Sequence, residues 1–294
     1  MLRVFVVAAL LILAGCSAPT GAPASDTETA TVTPVAVPET TATERQGVLA
    51  PGITDEGVAD PGRLANAHAS RLATVSYTVN QTLVQRYANG SLRSRYVTRA
   101  RFAAEPGRFS ATVHQVEREN NQLVERSTRR FGDGERAYVA DSEGNQTSYR
   151  LIRYPGGGPR DPEDVYIRNL TNAAAIERLF TLVDTETVGQ FTENGTRYVK
   201  LRSGKPTTVP PLRNVTIEAI VSEHGVVRSY HIEYDVTRDG QLEAVVVVSY
   251  SEIGSTTVER PAWVDRVDAN TTATSTPAGQ LAEWATRRDA ARGA

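Results

Sequence analysis

The sequence predicts a mainly β, α+β domain. A single curled antiparallel sheet of about eleven strands bends into a half-barrel around two or three helices. Three observations predict it. From Val75 onward, run after run carries apolar residues at every second position. Pairs such as Asn89-Gly90, Asp133-Gly134, Asn194-Gly195 and Asp239-Gly240 punctuate those runs and supply the positive φ of tight hairpins. Only two segments show helical spacing, too few to cover the apolar side of so broad a sheet.

The N-terminal residues read as an export signal over 1–15. Arg3 supplies the positive end and Val4 to Leu13 an apolar run. The run is shorter than the ~20 residues a transmembrane helix needs but suits a signal peptide. Leu13-Ala14-Gly15-Cys16 resembles the lipobox of prokaryotic lipoproteins, and Cys16 is the single cysteine of 294 residues. That resemblance implies lipid attachment at Cys16 and anchoring at the extracytoplasmic face of the membrane. A lone thiol forms no internal disulfide, so the fold rests on its core. Residues 16–59, rich in Thr, Pro, Ala and Ser and carrying Asp26, Glu28, Glu39 and Glu44 against Arg45, read as a disordered acidic tether.

Asp60-Pro61 reads as a helix start, with Leu64, His68 and Leu72 recurring every fourth residue. Strands follow. Tyr77 and Val79, then Tyr96 to Phe102, then Phe109 to Val113, each present one apolar face and one polar face. The phase places Asn80 on the polar side. Six strands are expected before residue 155. A Pro/Gly loop, Tyr154 to Pro159, then precedes a second helix near Asn172 to Asp184, where Ile176, Leu179, Phe180 and Val183 form an apolar stripe. Five strands are expected after 186. Among them Ile217, the row Tyr230, Ile232 and Tyr234, and the row Val246 and Val248 share the alternating pattern. The domain is expected to run from 60 to 265, with 266–294 a loosely ordered tail.

Seven Asn-x-Ser/Thr sequons, at Asn80, Asn89, Asn145, Asn169, Asn194, Asn214 and Asn270, exceed what 11 asparagines give by chance. They read as glycan acceptors on an exported chain; turn and strand-edge chemistry in a Thr-rich chain is the other reading. Between residues 86 and 136 stand eleven arginines against six acids. Arg95, Arg99 and Arg101 alternate outward on one strand, which fits either a solvated face or contact with an anionic surface or acidic partner. The net charge of −2 carries no bulk nucleic-acid signal.

Catalytic patterns are missing from the sequence: no HExxH, GxSxG, P-loop or CxxC occurs. His68, His114, His224 and His231 are scattered. Glu233 and Asp235 share a strand face and read as solvated. No enzyme activity, metal or cofactor is therefore expected.

The order of parts, lipobox, spacer, short helix, meander, helix, second meander, resembles the LolA/LolB and LppX/LprG class of lipoprotein-carrier and lipid-binding folds. The opening DPGRLANAHASRLATVSYTV followed by YANGS is similar to surface lipoproteins of halophilic archaea. The resemblance implies a hydrophobic ligand, a lipid or acyl chain, in the half-barrel. The candidate lining residues are Tyr77, Val79, Tyr96, Phe102, Phe109, Val113, Ile217, Tyr230, Ile232, Tyr234, Val246 and Val248, each of which also reads as ordinary core. A non-enzymatic envelope module with a filled core is the alternative.

Overall fold

Tight turns lay each new strand beside the one before it, so alternation along the chain becomes one continuous sheet. Asn120 and Asn121 both take positive φ, 49° and 67°, between two strands, as a two-residue hairpin demands. In a computed structural model, residues 47–152, 171–237 and 241–267 are described. Val48–Ala50 (β1) and Ile53–Thr54 (β2) form a small hairpin before helix α1, Pro61–Leu72. The first meander comprises Tyr77–Tyr87 (β3), Leu92–Phe102 (β4), Arg108–Glu119 (β5), Gln122–Asp133 (β6), Ala137–Glu143 (β7) and Gln146–Leu151 (β8). Helix α2, Ala173–Leu182, leads into Thr185–Glu193 (β9), Thr196–Ser203 (β10), Thr207–Val209 (β11), Leu212–Ser222 (β12), Val227–Val236 (β13) and Leu242–Ser251 (β14).

The expected fold class is observed. Twelve strands form one antiparallel sheet in the order β8-β7-β6-β5-β4-β3-β14-β13-β12-β10-β9, with β11 on β12. The sheet is curled and not closed, with β8 and β9 at its edges. The last strand, β14, returns to pair with the first strand of the first meander, Tyr250 opposite Val79 and Val246 opposite Leu83. The count exceeds the expected eleven by β11, three residues too short to leave a periodic signal.

Helix α1 starts as expected. The Asp60 carboxylate accepts from the Arg63 amide at 2.8 Å, and Pro61 fills the first turn, where its missing N–H costs nothing. Its buried residues Leu64, Ala65, His68 and Leu72 follow the predicted spacing. Helix α2 buries Ile176 and Phe180.

The main core lies between these helices and one face of the sheet, here called inner. It joins Leu64, Leu72, Ile176 and Phe180 to Tyr77, Phe102, Phe109, Val199, Ile217, Val248 and Tyr250. A second cluster lies on the outer face of β6, β7 and β8. There Phe131, Tyr138 and Ala140 are covered by Val258, Trp263, Val264 and Val267.

Three expectations need correction. The tether does not run to residue 59, because Ala50 and Ile53 are 3% and 1% exposed and belong to the main core. The folded unit extends past 265, since Val267 is buried. The outer face is not wet throughout, since the segment after β14 straps across it. The Pro/Gly loop, Asn169, Asn270, Cys16 with its lipobox, and residues 268–294 of the expected tail lie outside the described residues.

Candidate functional site

Strand register arranges the inner face in rows. The first row sets Tyr77 opposite Phe102, and Phe102 opposite Phe109. The Tyr77 and Phe102 rings stand 4.8 Å apart, and Tyr77 also approaches Tyr250 at 6.2 Å. Helix α1 seals this end. The His68 ring meets Tyr250 edge-on at 4.8 Å. Its Nδ1 accepts from the Val227 amide at 3.1 Å, and its Nε2–H donates to the Thr171 carbonyl at 2.8 Å. Both ring nitrogens are thus satisfied in the neutral form, and burial holds its pKa down at about 4. Tyr250 donates to the same Thr171 carbonyl at 3.1 Å and accepts from Asn172 Nδ2 at 3.2 Å. Burial pushes the Tyr77, Tyr230 and Tyr250 phenols up, so they remain neutral.

Eight of the twelve expected lining residues, Tyr77, Val79, Phe102, Phe109, Ile217, Tyr230, Tyr234 and Val248, are buried members of this core. Ile232 and Val246 are half-buried and pack at its margin. Tyr96 and Val113 share the inner face by register, Thr98 opposite Val113 and Leu83 opposite Tyr96, but lie outside the apolar cluster and are half-buried.

Ile217 stands opposite Ile232, Ile232 opposite Val246, Val246 opposite Leu83 and Leu83 opposite Tyr96. Between the buried Ile217 and Tyr96, the three apolar chains Ile232, Val246 and Leu83 are only half-buried. Leu83 was not among the expected lining residues, because on β3 it follows Gln81 and precedes Gln85 on the same face.

Beyond Tyr96 the same row turns polar. Tyr96 donates a very short hydrogen bond to Glu117 and accepts from Gln115 Nε2 at 3.4 Å; burial and this carboxylate push its phenol up. Arg126, opposite Gln115, bonds Glu119 at 2.6 Å and Glu143 at 3.2 Å. In the neighbouring row Thr128 donates to Asp141 at 2.8 Å, and Arg150 pairs with Asp141 at 2.7 Å. The arginines of 86–136 therefore do not all point outward: Arg126 and Arg130 share the inner face with Val113 and Ala111 by register.

The outer face of β4 carries Arg95, Arg99 and Arg101, as expected, with Val97 between them. His114 and Glu233 also lie on this face and are exposed. Of the sequons, Asn89, Asn145, Asn194 and Asn214 are exposed, whereas Asn80 is half-buried on the outer face. Asn89 and Asn214 already hold partners: Asn89 Oδ1 accepts from the Ser91 hydroxyl at 2.7 Å and Asn214 Nδ2 donates to Asp235 at 2.6 Å. Among the described residues no group of three His, Cys, Asp or Glu is placed to hold a metal, and no helix is long and apolar enough to cross a membrane.

No family model matches this chain, and no curated protein matches it. Among solved structures it is similar to a DUF1329 family protein from Desulfovibrio piger, at 10% identity over 66% of this chain and 90% of that one, with a TM-score of 0.26. A LolA superfamily protein from Nitrosomonas europaea matches at 9% identity over 68% and 94%, with a TM-score of 0.24. A putative outer membrane lipoprotein-sorting protein domain from Vibrio parahaemolyticus matches at 9% identity over 68% and 94%, with a TM-score of 0.18. Scores this low assign the chain neither a family nor a function. The half-barrel is established by its own strand pairing.

Proposed function

We propose that this protein is a non-enzymatic binder that holds an amphipathic lipid or acyl chain along the inner face of its half-barrel. The observation that carries the reading is the row Ile232, Val246, Leu83, Tyr96. Its apolar members stay half-buried beside a packed core, and its far end meets the polar set of Tyr96, Gln115 and Glu117. An apolar tail fits the first part and a polar head the second. The packed residues Tyr77, Phe102, Phe109 and Val248 then support the trough from beneath and do not line it. In this reading Cys16 carries the lipid anchor at the extracytoplasmic face of the membrane, and the exposed sequons Asn89, Asn145, Asn194 and Asn214, with Asn80, Asn169 and Asn270, are glycan acceptors.

Titration of the purified protein with a fluorescent fatty acid, together with mass spectrometry of its organic extract, tests the proposal. Saturable binding at one site is expected. Leu83→Glu places a charge in the trough and is expected to weaken binding ~10-fold or more, since each tenfold needs only about 1.4 kcal/mol. No saturable binding, or an unchanged affinity in a folded Leu83→Glu variant, overturns it.

A second reading is favoured by one observation: no carboxylate among the described residues pairs with Arg95, Arg99 or Arg101. On this reading the outer face rests on a layer of anionic lipid head groups, and vesicles containing anionic lipid are expected to retain the protein at low salt.

A further inference from the structure

Arg99 and Arg101 sit two residues apart on the outer face of β4, so their Cα atoms are about 7 Å apart. Register places Thr112 directly opposite Arg99 and Ser110 directly opposite Arg101 on β5, with His114 opposite Val97. These side chains line a concavity of about 460 Å³. The row continues to Arg129, which stands opposite Thr112 on β6 and whose guanidinium lies 5.8 Å over the Trp263 ring. On the other side Thr78, opposite Arg101, gives its hydroxyl to Glu252 at 2.8 Å.

Five arginines elsewhere in the fold behave differently. Arg126, Arg150, Arg202, Arg228 and Arg260 each pair with a carboxylate. Arg99 and Arg101 do not; their like charges repel across the hollow, and an anion seated between them relieves that repulsion. Two planar forks with five donors each, and two hydroxyl groups on the facing strand, match the oxygens of a tetrahedral oxyanion. A planar carboxylate uses only one such fork.

We propose that the hollow between β4 and β5 is a binding site for a phosphate monoester dianion, held by Arg99 and Arg101 with Ser110, Thr112 and His114. The site deepens the second reading above and rests on the outer face being an anion-binding surface. It narrows that surface to one place and one chemistry, which either a lipid head group or a free phosphate supplies.

The full-length chain is titrated with inorganic phosphate while the arginine Nε–Hε resonances are followed by NMR. In parallel, it is sedimented with phosphatidylcholine vesicles containing either phosphatidic acid, a monoester, or phosphatidylglycerol, a diester, at matched surface charge. Saturable shifts confined to Arg99 and Arg101 are expected, and Arg99→Gln or Arg101→Gln weakens phosphate binding ~10-fold or more, as loss of a charged hydrogen bond does. Arg202→Gln, on β10, leaves it unchanged. Preference for phosphatidic acid identifies a head group as the source. Shifts at Arg99 and Arg101 without vesicle binding identify free phosphate and end the lipid-layer reading while supporting the site. Equal, unsaturated shifts of Arg95, Arg99 and Arg101, or vesicle binding indifferent to the Arg99 and Arg101 substitutions, overturn the site and leave a diffuse surface.

Discussion

Acidification is expected to loosen the clasp around His68 in a way that one substitution isolates. The ring is fully buried, accepts from the Val227 amide through Nδ1 and donates to the Thr171 carbonyl through Nε2. Protonation turns Nδ1 into a donor facing a donor. Burial lowers the pKa from 6.5 in the unfolded chain to about 4. Because the unfolded state binds the proton more readily, this contribution to stability is fully present above pH 6.5 and is lost as pH falls toward 4. The difference corresponds to about 3 kcal/mol, at roughly 1.4 kcal/mol per pH unit. Carboxylates titrate over the same range, so wild type is compared with His68→Gln, whose amide can offer one donor and one acceptor but no titration. Urea unfolding at pH 7.5, 6, 5 and 4 gives the free energies. At neutral pH the variant is expected to be less stable by about 1–3 kcal/mol, the cost of imperfectly satisfying the Val227 amide. That gap is expected to close, and then to invert, between pH 6.5 and 4. A gap that stays constant across this range refutes a buried neutral histidine.

Three further outcomes are expected. Phe180→Ala removes the largest side chain that α2 sends into the main core, where it is 4% exposed, and costs about 3–5 kcal/mol in the same urea assay. Gly132→Ala brings a Cβ to 2.4 Å from the Gly107 carbonyl oxygen and 2.5 Å from the Phe109 ring; one contact is backbone and cannot rotate away, so a loss of about 1–3 kcal/mol is expected. Cys16→Ser is expected to release the chain from the membrane fraction, and the intact mass of the mature wild-type protein to begin at a lipidated Cys16.

Much of this architecture was legible because strand alternation is local. Tyr77 and Val79, Ala100 and Phe102, and Phe109 and Ala111 announce their common face from their own segments. What each face meets is not local. Tyr96 and Val113 have the correct phase, yet their neighbours come from other strands: Gln115 and Glu117 of β5 bond Tyr96, and the register set at Asn120-Asn121 brings Thr128 of β6 opposite Val113. No single strand carries that information. The hairpin of β1 and β2 escaped for another reason. Ala50 and Ile53 are buried, but they sit in a stretch otherwise like a tether, with no period to read. The strap over the outer face is similar: Trp263, Val264 and Val267 share a single helical turn, too short to announce a period, and Val258 stands outside it. His68 is legible as a member of the apolar stripe of α1, but its partners at Thr171 and Val227 lie 103 and 159 residues away.

The division of the inner face constrains what it can hold. Along the row, Ile232, Val246 and Leu83 offer aliphatic surface on β13, β14 and β3; toward β6, β7 and β8 the inner face carries a polar network, with Arg126 bridging Glu119 and Glu143 and Asp141 receiving Thr128 and Arg150. Burying a methylene contributes about 0.8 kcal/mol. Stripping water from one ion of such a network costs several kcal/mol. Each desolvated ion therefore cancels the gain from roughly five methylenes, and an all-apolar ligand lying across the whole face gains little. A ligand whose tail stops at Leu83 and whose head group stays wet beside Tyr96 and Gln115 keeps the first contribution without the second. The shape of the trough alone does not select such a molecule; the change of chemistry along the row from Ile232 to Gln115 does.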